Sequence, residues 1–333
     1  MCLKFYKLDP VYYCSLPGFS WDAMLRFTDA QIEICKDPTI LSLVQANIRG
    51  GVSMICHRLA EANNPQMKNY DEKKPLLTMK YLDANSLYAH TMKEKLPIGD
   101  YKLLNQQEIA NLTANIKNFD SSGEIGYILE CDLHYPKHLH INHSQYPLCP
   151  EKIAITEEML STFQRKNFTN FSDKNVKLVP NLNSKFGYVL HIKNLQQALD
   201  LGLELIKITQ AVQFKQSSWL AGYVEFNIEK RRIAVLNGDE AGKAFFKLIL
   251  NAVFGKCLEN VRRHKNIEIV TDRRSLLRKA AKPNFKSITL FRKDLAAVNM
   301  AKTTLLLNKP TLVGFSILEL SKVRNENNIF NFS

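Results

Sequence analysis

Lys243, Lys247, Asn251 and Phe254 recur every three or four residues in this chain of 333, so on a helix they fall along one stripe. Two ammonium groups one turn apart can meet adjacent phosphates of a triphosphate, and a flat ring further along can stack on a base. Gly255 removes a side chain where a base pair would need room. The opposite arc carries Phe246, Ile249, Leu250 and Val253, an apolar face for a core. The same stripe also describes the solvated side of an ordinary amphipathic helix.

The second residue with chemistry in reach is Asp83, within Tyr81-Leu-Asp-Ala-Asn-Ser-Leu-Tyr88. It closes an apolar stretch, Leu76 to Asp83, that reads as a strand running into a core, so its carboxylate is expected at a strand-to-loop edge. Mg²⁺ favours one or two carboxylates together with phosphate oxygens and water, and a two-metal site clamps the attacking and leaving oxygens of phosphoryl transfer. One Asp is half of that arrangement. A turn or capping aspartate explains the segment taken alone.

The elements that must position these residues follow from periodicity. Trp21 to Lys36 has helical spacing, with Asp29 expected to cap a second helix. Gly126 to Leu133 reads as a strand and Lys193 to Leu205 as helical. After Gln216 the pattern is of two helices broken at Asn237-Gly238, an antiparallel hairpin whose second arm bears the lysine stripe. Asn266 to Thr271 and Thr303 to Leu307 alternate as strands, and Val313 to Lys322 is helix-like.

Composition narrows the partners. A formal charge of +13 with 45% hydrophobic residues excludes a disordered chain and favours a polyanionic partner such as nucleic acid. From Lys230 to Lys302 there are 18 Lys and Arg against 6 Asp and Glu, so nearly the whole surplus surrounds the lysine stripe. The seven cysteines are scattered without a Cys-x-x-Cys, as expected of an intracellular chain with reduced thiols. There is no signal-like apolar run and no membrane-length stretch, so a soluble intracellular protein without a membrane partner is expected. Cys131, His134, His138, His140, His143 and Cys149 fit no common zinc spacing.

Taken together, Asp83-Ala-Asn-Ser-Leu-Tyr88 and Lys247-Leu-Ile-Leu-Asn-Ala-Val-Phe-Gly-Lys256 resemble the first two polymerase motifs of family-B DNA polymerases. The likeness is to the protein-primed, organellar and viral branch, including Polinton/Maverick-type mobile elements, and extends from Ser15-Leu-Pro-Gly-Phe-Ser-Trp21 to Val313-Gly-Phe-Ser-Ile-Leu-Glu-Leu-Ser-Lys322. The resemblance implies that Asp83 is catalytic and ligates Mg²⁺ or Mn²⁺, and that Tyr88 packs under the sugar and excludes a 2′-hydroxyl. It implies that Lys243 and Lys247 bind the triphosphate, that Asn251 organises the pocket, and that Phe254 and Gly255 pack at the nascent base pair. Ala252 and Phe254 replace the family's Ser and Tyr, removing two hydroxyls. Ile48-Arg-Gly-Gly51 resembles the family's Tyr-x-Gly-Gly template-binding turn, so Arg49, Gly50, Gly51 and the downstream Arg262 and Arg263 are expected on DNA.

The fold so implied is α+β: a polymerase palm with a helical fingers hairpin and an insertion between the two motifs. Residues 1–75 would connect to the palm and carry the template turn, 76–135 form its first part, 136–215 the insertion, 216–265 the fingers, and 266–333 a truncated return to the palm. The expected partners are primer-template DNA, deoxynucleoside triphosphates and a terminal protein primer. The family's third motif, Asp-Thr-Asp, does not occur in the sequence, and its proofreading exonuclease domain is expected to be absent. The acids after Asp272 are Asp294, Glu319 and Glu326, none in a suitable context, which leaves Asp132 as the spare carboxylate. A chain inactive alone is therefore expected, with a non-catalytic DNA-binding remnant as the alternative.

Overall fold

The computed structural model describes residues 1–52, 59–79, 86–167 and 176–330, with side chains through position 324. Asp83 lies outside the described residues, as does the second half of the stretch, 76–83, expected to carry it; of the first half, Leu77 makes an isolated bridge to Asn63.

Three helices open the chain: α1 (Cys2–Tyr6), α2 (Leu16–Thr28) and α3 (Pro38–Ala46). Asp29 closes α2 in the left-handed conformation, φ 48°, rather than opening a helix. The N-cap of the next helix is Asp37, whose carboxylate accepts from the backbone N–H groups of Thr39 and Ile40, with Pro38 in the first turn. The short α4 (Leu87–Thr91) then leads into β1 (Leu96–Leu103), α5 (Gln106–Ala114) and β2 (Ile125–His134). An outlying pair, β3 (Glu151–Ala154) and β4 (Val176–Val179), flanks α6 (Thr162–Asn167). The chain returns through β5 (Lys185–His191), α7 (Ile192–Asp200) and the long β6 (Glu204–Ser217).

β1, β6, β2 and β5 form one antiparallel sheet in that order. One face packs on α5 and α7 through residues such as Leu129, Leu133, Leu190, Leu195 and Ile109. The other, bearing Ile128, Val189, Val212 and Phe214, packs on Ile40 and Val44 of α3. Alternation along the strands separates the two sets, because successive side chains point to opposite faces.

Beyond the sheet stand the hairpin α8 (Ala221–Leu236) and α9 (Glu240–Cys257), turned by Gly238 at φ 66°. A second sheet follows, β7 (Asn266–Val270), β8 (Phe285–Arg292) and β9 (Leu295–Met300) in the order β7-β9-β8, with α10 (Arg273–Ala280) against it. Residues 303–307, expected as a strand, join no sheet. The chain closes in α11 (Thr311–Phe330).

From Thr311 to Lys322 every residue of α11 is buried, the pattern of a helix enclosed on all sides. Leu312 and Phe315 meet the sheet and α3, whereas Val313, Ile317 and Leu320 meet the cluster formed by α2, α4, α8 and α9. A Cβ at Gly314 would come within 2.5 Å of Leu258 Cγ, so glycine is what allows α11 to lie close against the end of α9. No described helix is long and apolar enough to cross a membrane.

A fully buried titratable group lies at the N-cap of α7. His191 is fully buried, its Nδ1 accepts from the Lys193 backbone N–H at 3.2 Å, and its Nε2 has no hydrogen-bond partner. Burial, aided by Lys193, lowers its pKa from 6.5 to about 3. Below its ordinary value the unfolded chain takes up a proton that the folded chain refuses, so stability falls as pH drops. His191 alone should contribute up to about 1.4 kcal/mol per pH unit below ~6.5. Denaturation between pH 7 and 5 should therefore show a flatter dependence in His191→Asn, which keeps an N-cap acceptor, than in the wild type. An unchanged dependence would assign it to other groups.

Candidate nucleotide and nucleic-acid site

α9 begins at Asp239, whose carboxylate accepts from the Gly242 N–H at 2.9 Å. Phe246, Ile249, Leu250, Val253 and Cys257 are buried, which turns the opposite stripe outward. Lys243 is held by Glu240 at 3.0 Å. Lys247 and Asn251 are exposed, and among the described residues Lys247 has no ion-pair partner. Gly255 is also exposed, and an added Cβ there would meet no protein atom within 4 Å. The fold itself does not require a glycine at that position.

The other motif meets this helix through Tyr88. Ser86 enters α4 in the left-handed conformation, φ 55°, a geometry that costs a non-glycine residue about 1–2 kcal/mol. The turn is fastened from α8: Arg231 Nη1 donates to Ser86 Oγ at 3.2 Å, and Lys93 pairs with Glu225 at 2.9 Å. On α4 the Tyr88 ring lies flat against Phe254, with centroids 4.3 Å apart and planes 16° from parallel. Residues of the two sequence motifs, remote in the chain, thus form one aromatic platform beside Asn251 and Gly255.

The expected DNA contacts lie elsewhere on the surface. Arg49 is 7% exposed and faces inward: Nη1 donates to the Val189 carbonyl at 2.8 Å, Nη2 to Asn47 Oδ1 at 2.9 Å, and the guanidinium covers the Tyr188 ring at 3.9 Å. Gly50 and Gly51 are exposed with open space around them. Arg262 and Arg263, in a short turn after α9, are exposed and share a groove with Ile48 and Gln45.

That groove continues to Lys152 of β3 and to Lys309 just before α11. Glu259 on its wall accepts from Lys256 at 3.0 Å and pairs with Lys309 at 3.2 Å. Partial burial would raise its pKa, but these two ammonium groups hold its carboxyl below the ordinary range.

Asp132 is engaged within the main sheet. It accepts from the Gly187 N–H at 2.7 Å and pairs with Lys207 at 3.3 Å. Among the described residues no three His, Cys, Asp or Glu side chains converge as a metal site. The expected metal ligand, Asp83, lies outside those residues.

The buried ionic network was not foreseen from sequence. Glu319 of α11 accepts from Asn194 Nδ2 of α7 at 2.8 Å and pairs with Lys322, and Gln197 donates to the Val323 carbonyl at 2.8 Å. The available signal was Glu319 and Lys322, three residues apart in a stretch, 311–323, that carries no other charge.

The structure is similar to that of phi29 DNA polymerase in its orthorhombic crystal form, with a TM-score of 0.51 and 12% identity over 99% of this chain. It is equally similar to phi29 DNA polymerase complexed with primer-template DNA, with a TM-score of 0.52 and the same 12% identity and 99% coverage. The chain spans just under half of those polymerases, 48% and 47% respectively, and at this identity the likeness is one of fold. No curated protein matches the sequence. Residues 65–310 match the family model of DNA polymerase type B, organellar and viral, and the chain belongs to that family.

Proposed function

We propose that the chain is part of a protein-primed DNA polymerase of the mobile-element type, which adds deoxynucleotides to a primer under the direction of a template. The observation that carries this reading is the stack of Tyr88 on Phe254. Each ring belongs to a different polymerase motif, and their contact creates the wall against which a sugar and a nascent base pair would rest. The four-stranded sheet with α11 would serve as palm, α8 and α9 as fingers, and the elements between α4 and α8 would include the insertion.

Lys247, exposed and free of ion pairs among the described residues, would take the triphosphate, with Lys243 released from Glu240 to assist. Asn251 would orient the nucleotide, and Gly255 would leave room for the base pair. Asp83, three residues before Ser86 in sequence, would hold Mg²⁺ or Mn²⁺, which when bound would neutralise phosphate charge. Gly50, Gly51, Arg262 and Arg263 would meet primer-template DNA. The inward-facing Arg49 would support the turn unless it swings out.

A non-catalytic DNA-binding remnant is the second reading. It is favoured by the commitment of Asp132 to Gly187 and Lys207.

Nucleotide binding tests the site without requiring turnover. With primer-template DNA and Mg²⁺ or Mn²⁺ present, the chain should bind dATP in preference to ATP. Lys247→Ala should weaken dATP by about 10-fold or more, the effect of losing one charge-assisted hydrogen bond. Tyr88→Ala should narrow the preference for dATP. Nucleotide affinity untouched by both substitutions would overturn the assignment.

A further inference from the structure

We propose that Arg231 of α8 is a positioning residue for the sugar wall: by donating to Ser86 it fixes the first turn of α4, and so sets how closely the Tyr88 ring approaches the 2′ carbon of an incoming nucleotide. The proposal rests on the polymerase reading, in which Tyr88 is that wall.

Phe254 supports the Tyr88 ring at 4.3 Å with planes 16° apart, but two flat faces resist approach far more than they resist sliding past one another. The lateral position of Tyr88 must therefore come from the backbone of α4. Downstream of the ring that backbone is secured, because Ala89 and Met92 are buried in the helical cluster and Lys93 pairs with Glu225. Upstream the situation differs. Ser86 is exposed and left-handed, φ 55°, and its side chain makes no capping bond to α4. Such a conformation persists only where its surroundings impose it. The side chain that reaches it is Arg231, whose Nη1 lies 3.2 Å from Ser86 Oγ.

The acids nearby on α8 are already engaged: Glu229 holds Arg232 through both oxygens at 2.8 Å, and Glu225 holds Lys93. Arg231 has no ion pair among the described residues, and its guanidinium donates to a neutral hydroxyl instead. A guanidinium is planar and always charged, so this bond is directional and does not titrate away. Because α8 and α9 form one hairpin, the same unit supplies the floor beneath Tyr88 and the tie that stops it sliding.

The test is binding of dATP and ATP to the full chain, with primer-template DNA and Mg²⁺ present, together with thermal melting of each variant. Arg231→Ala should lower the dATP-to-ATP preference about fivefold, through tighter ATP binding with dATP affinity unchanged, since a wall that excludes by shape loses selectivity when it shifts. Arg231→Lys, which keeps a charged donor, should retain part of the preference. Ser86→Ala should repeat the effect of Arg231→Ala, and the double variant should add nothing to either, as expected when both break the same bond. Ser86 is exposed, so its variant keeps the test valid if Arg231→Ala melts early. A preference unchanged in Arg231→Ala and Ser86→Ala, while Tyr88→Ala narrows it, overturns this inference and leaves the polymerase reading standing. Equal weakening of dATP and ATP by Arg231→Ala would make the residue a phosphate contact and overturn it as well. If the wild type does not prefer dATP, both fall.

Discussion

Replacing Glu319 with alanine is expected to lower the unfolding free energy by about 3–5 kcal/mol, the range for breaking a buried ion pair by removing one partner. The carboxylate is 1% exposed and Lys322 7% exposed, so the substitution leaves an ammonium group buried without its counter-charge. Asn194 also loses the acceptor for its Nδ2, one of the ties between α11 and α7. Burial pushes the Glu319 pKa up, but Lys322 and Asn194 outweigh it and hold the carboxyl below the ordinary carboxylate range.

The sign for pH follows from that direction. A depressed folded-state pKa gives stability that is present above the ordinary carboxylate value, about 4.3, and is lost as pH falls through the folded value. Urea denaturation at pH 7 measures the main effect. Glu319→Gln with Lys322→Met should recover most of the loss, because no charge is then left unpaired. A cost below about 1 kcal/mol for Glu319→Ala would mean that Lys322 reaches water.

Such a pair was hard to read in the sequence because its meaning depends on contacts remote in the chain. Glu319 looked like an acid without context; its context is Asn194, on a helix docked from another part of the fold. Arg49 misled for the same reason, since an arginine beside two glycines suggests a phosphate contact, while Tyr188 and the Val189 carbonyl turn it inward. The α8-α9 hairpin was legible because its signals are local: a helical period, an Asn-Gly break and an apolar arc matching the buried residues.

Three strands of the main sheet, β1, β5 and β6, were missed, and for β1 and β6 the physical reasons differ. β1 contains Pro97 and Gly99, which read as a turn, yet as an edge strand it tolerates both across irregular register with β6. β6 alternates from Lys207 to Gln216, but its lysines and glutamines obscure a strand that occupies an interior place between β1 and β2. For the candidate site, composition and spacing identified the stripe on α9, and only folding could bring Tyr88 against Phe254.

The largest functional effect is expected in primer extension. This chain alone, given primer-template DNA, all four deoxynucleotides and Mg²⁺ or Mn²⁺, should extend at a rate several orders of magnitude below that of a complete polymerase. Two-metal phosphoryl transfer needs carboxylates on both sides of the reacting phosphate, and chemical steps lose about tenfold for each 1.4 kcal/mol of stabilisation removed. Asp83 would supply one carboxylate, the sequence contains no Asp-Thr-Asp, and Asp132 is engaged with Lys207 and the Gly187 N–H. Nucleotide binding should nevertheless survive, because Lys247, Asn251 and the Tyr88–Phe254 platform are assembled without those acids. Binding without synthesis is thus the expected signature, and adding a separate segment that contains the third motif should raise extension. Robust synthesis by this chain alone, abolished in Asp83→Ala, would show that another acid completes the site. Retained synthesis in Asp132→Asn would then exclude Asp132 and direct the search to the remaining carboxylates.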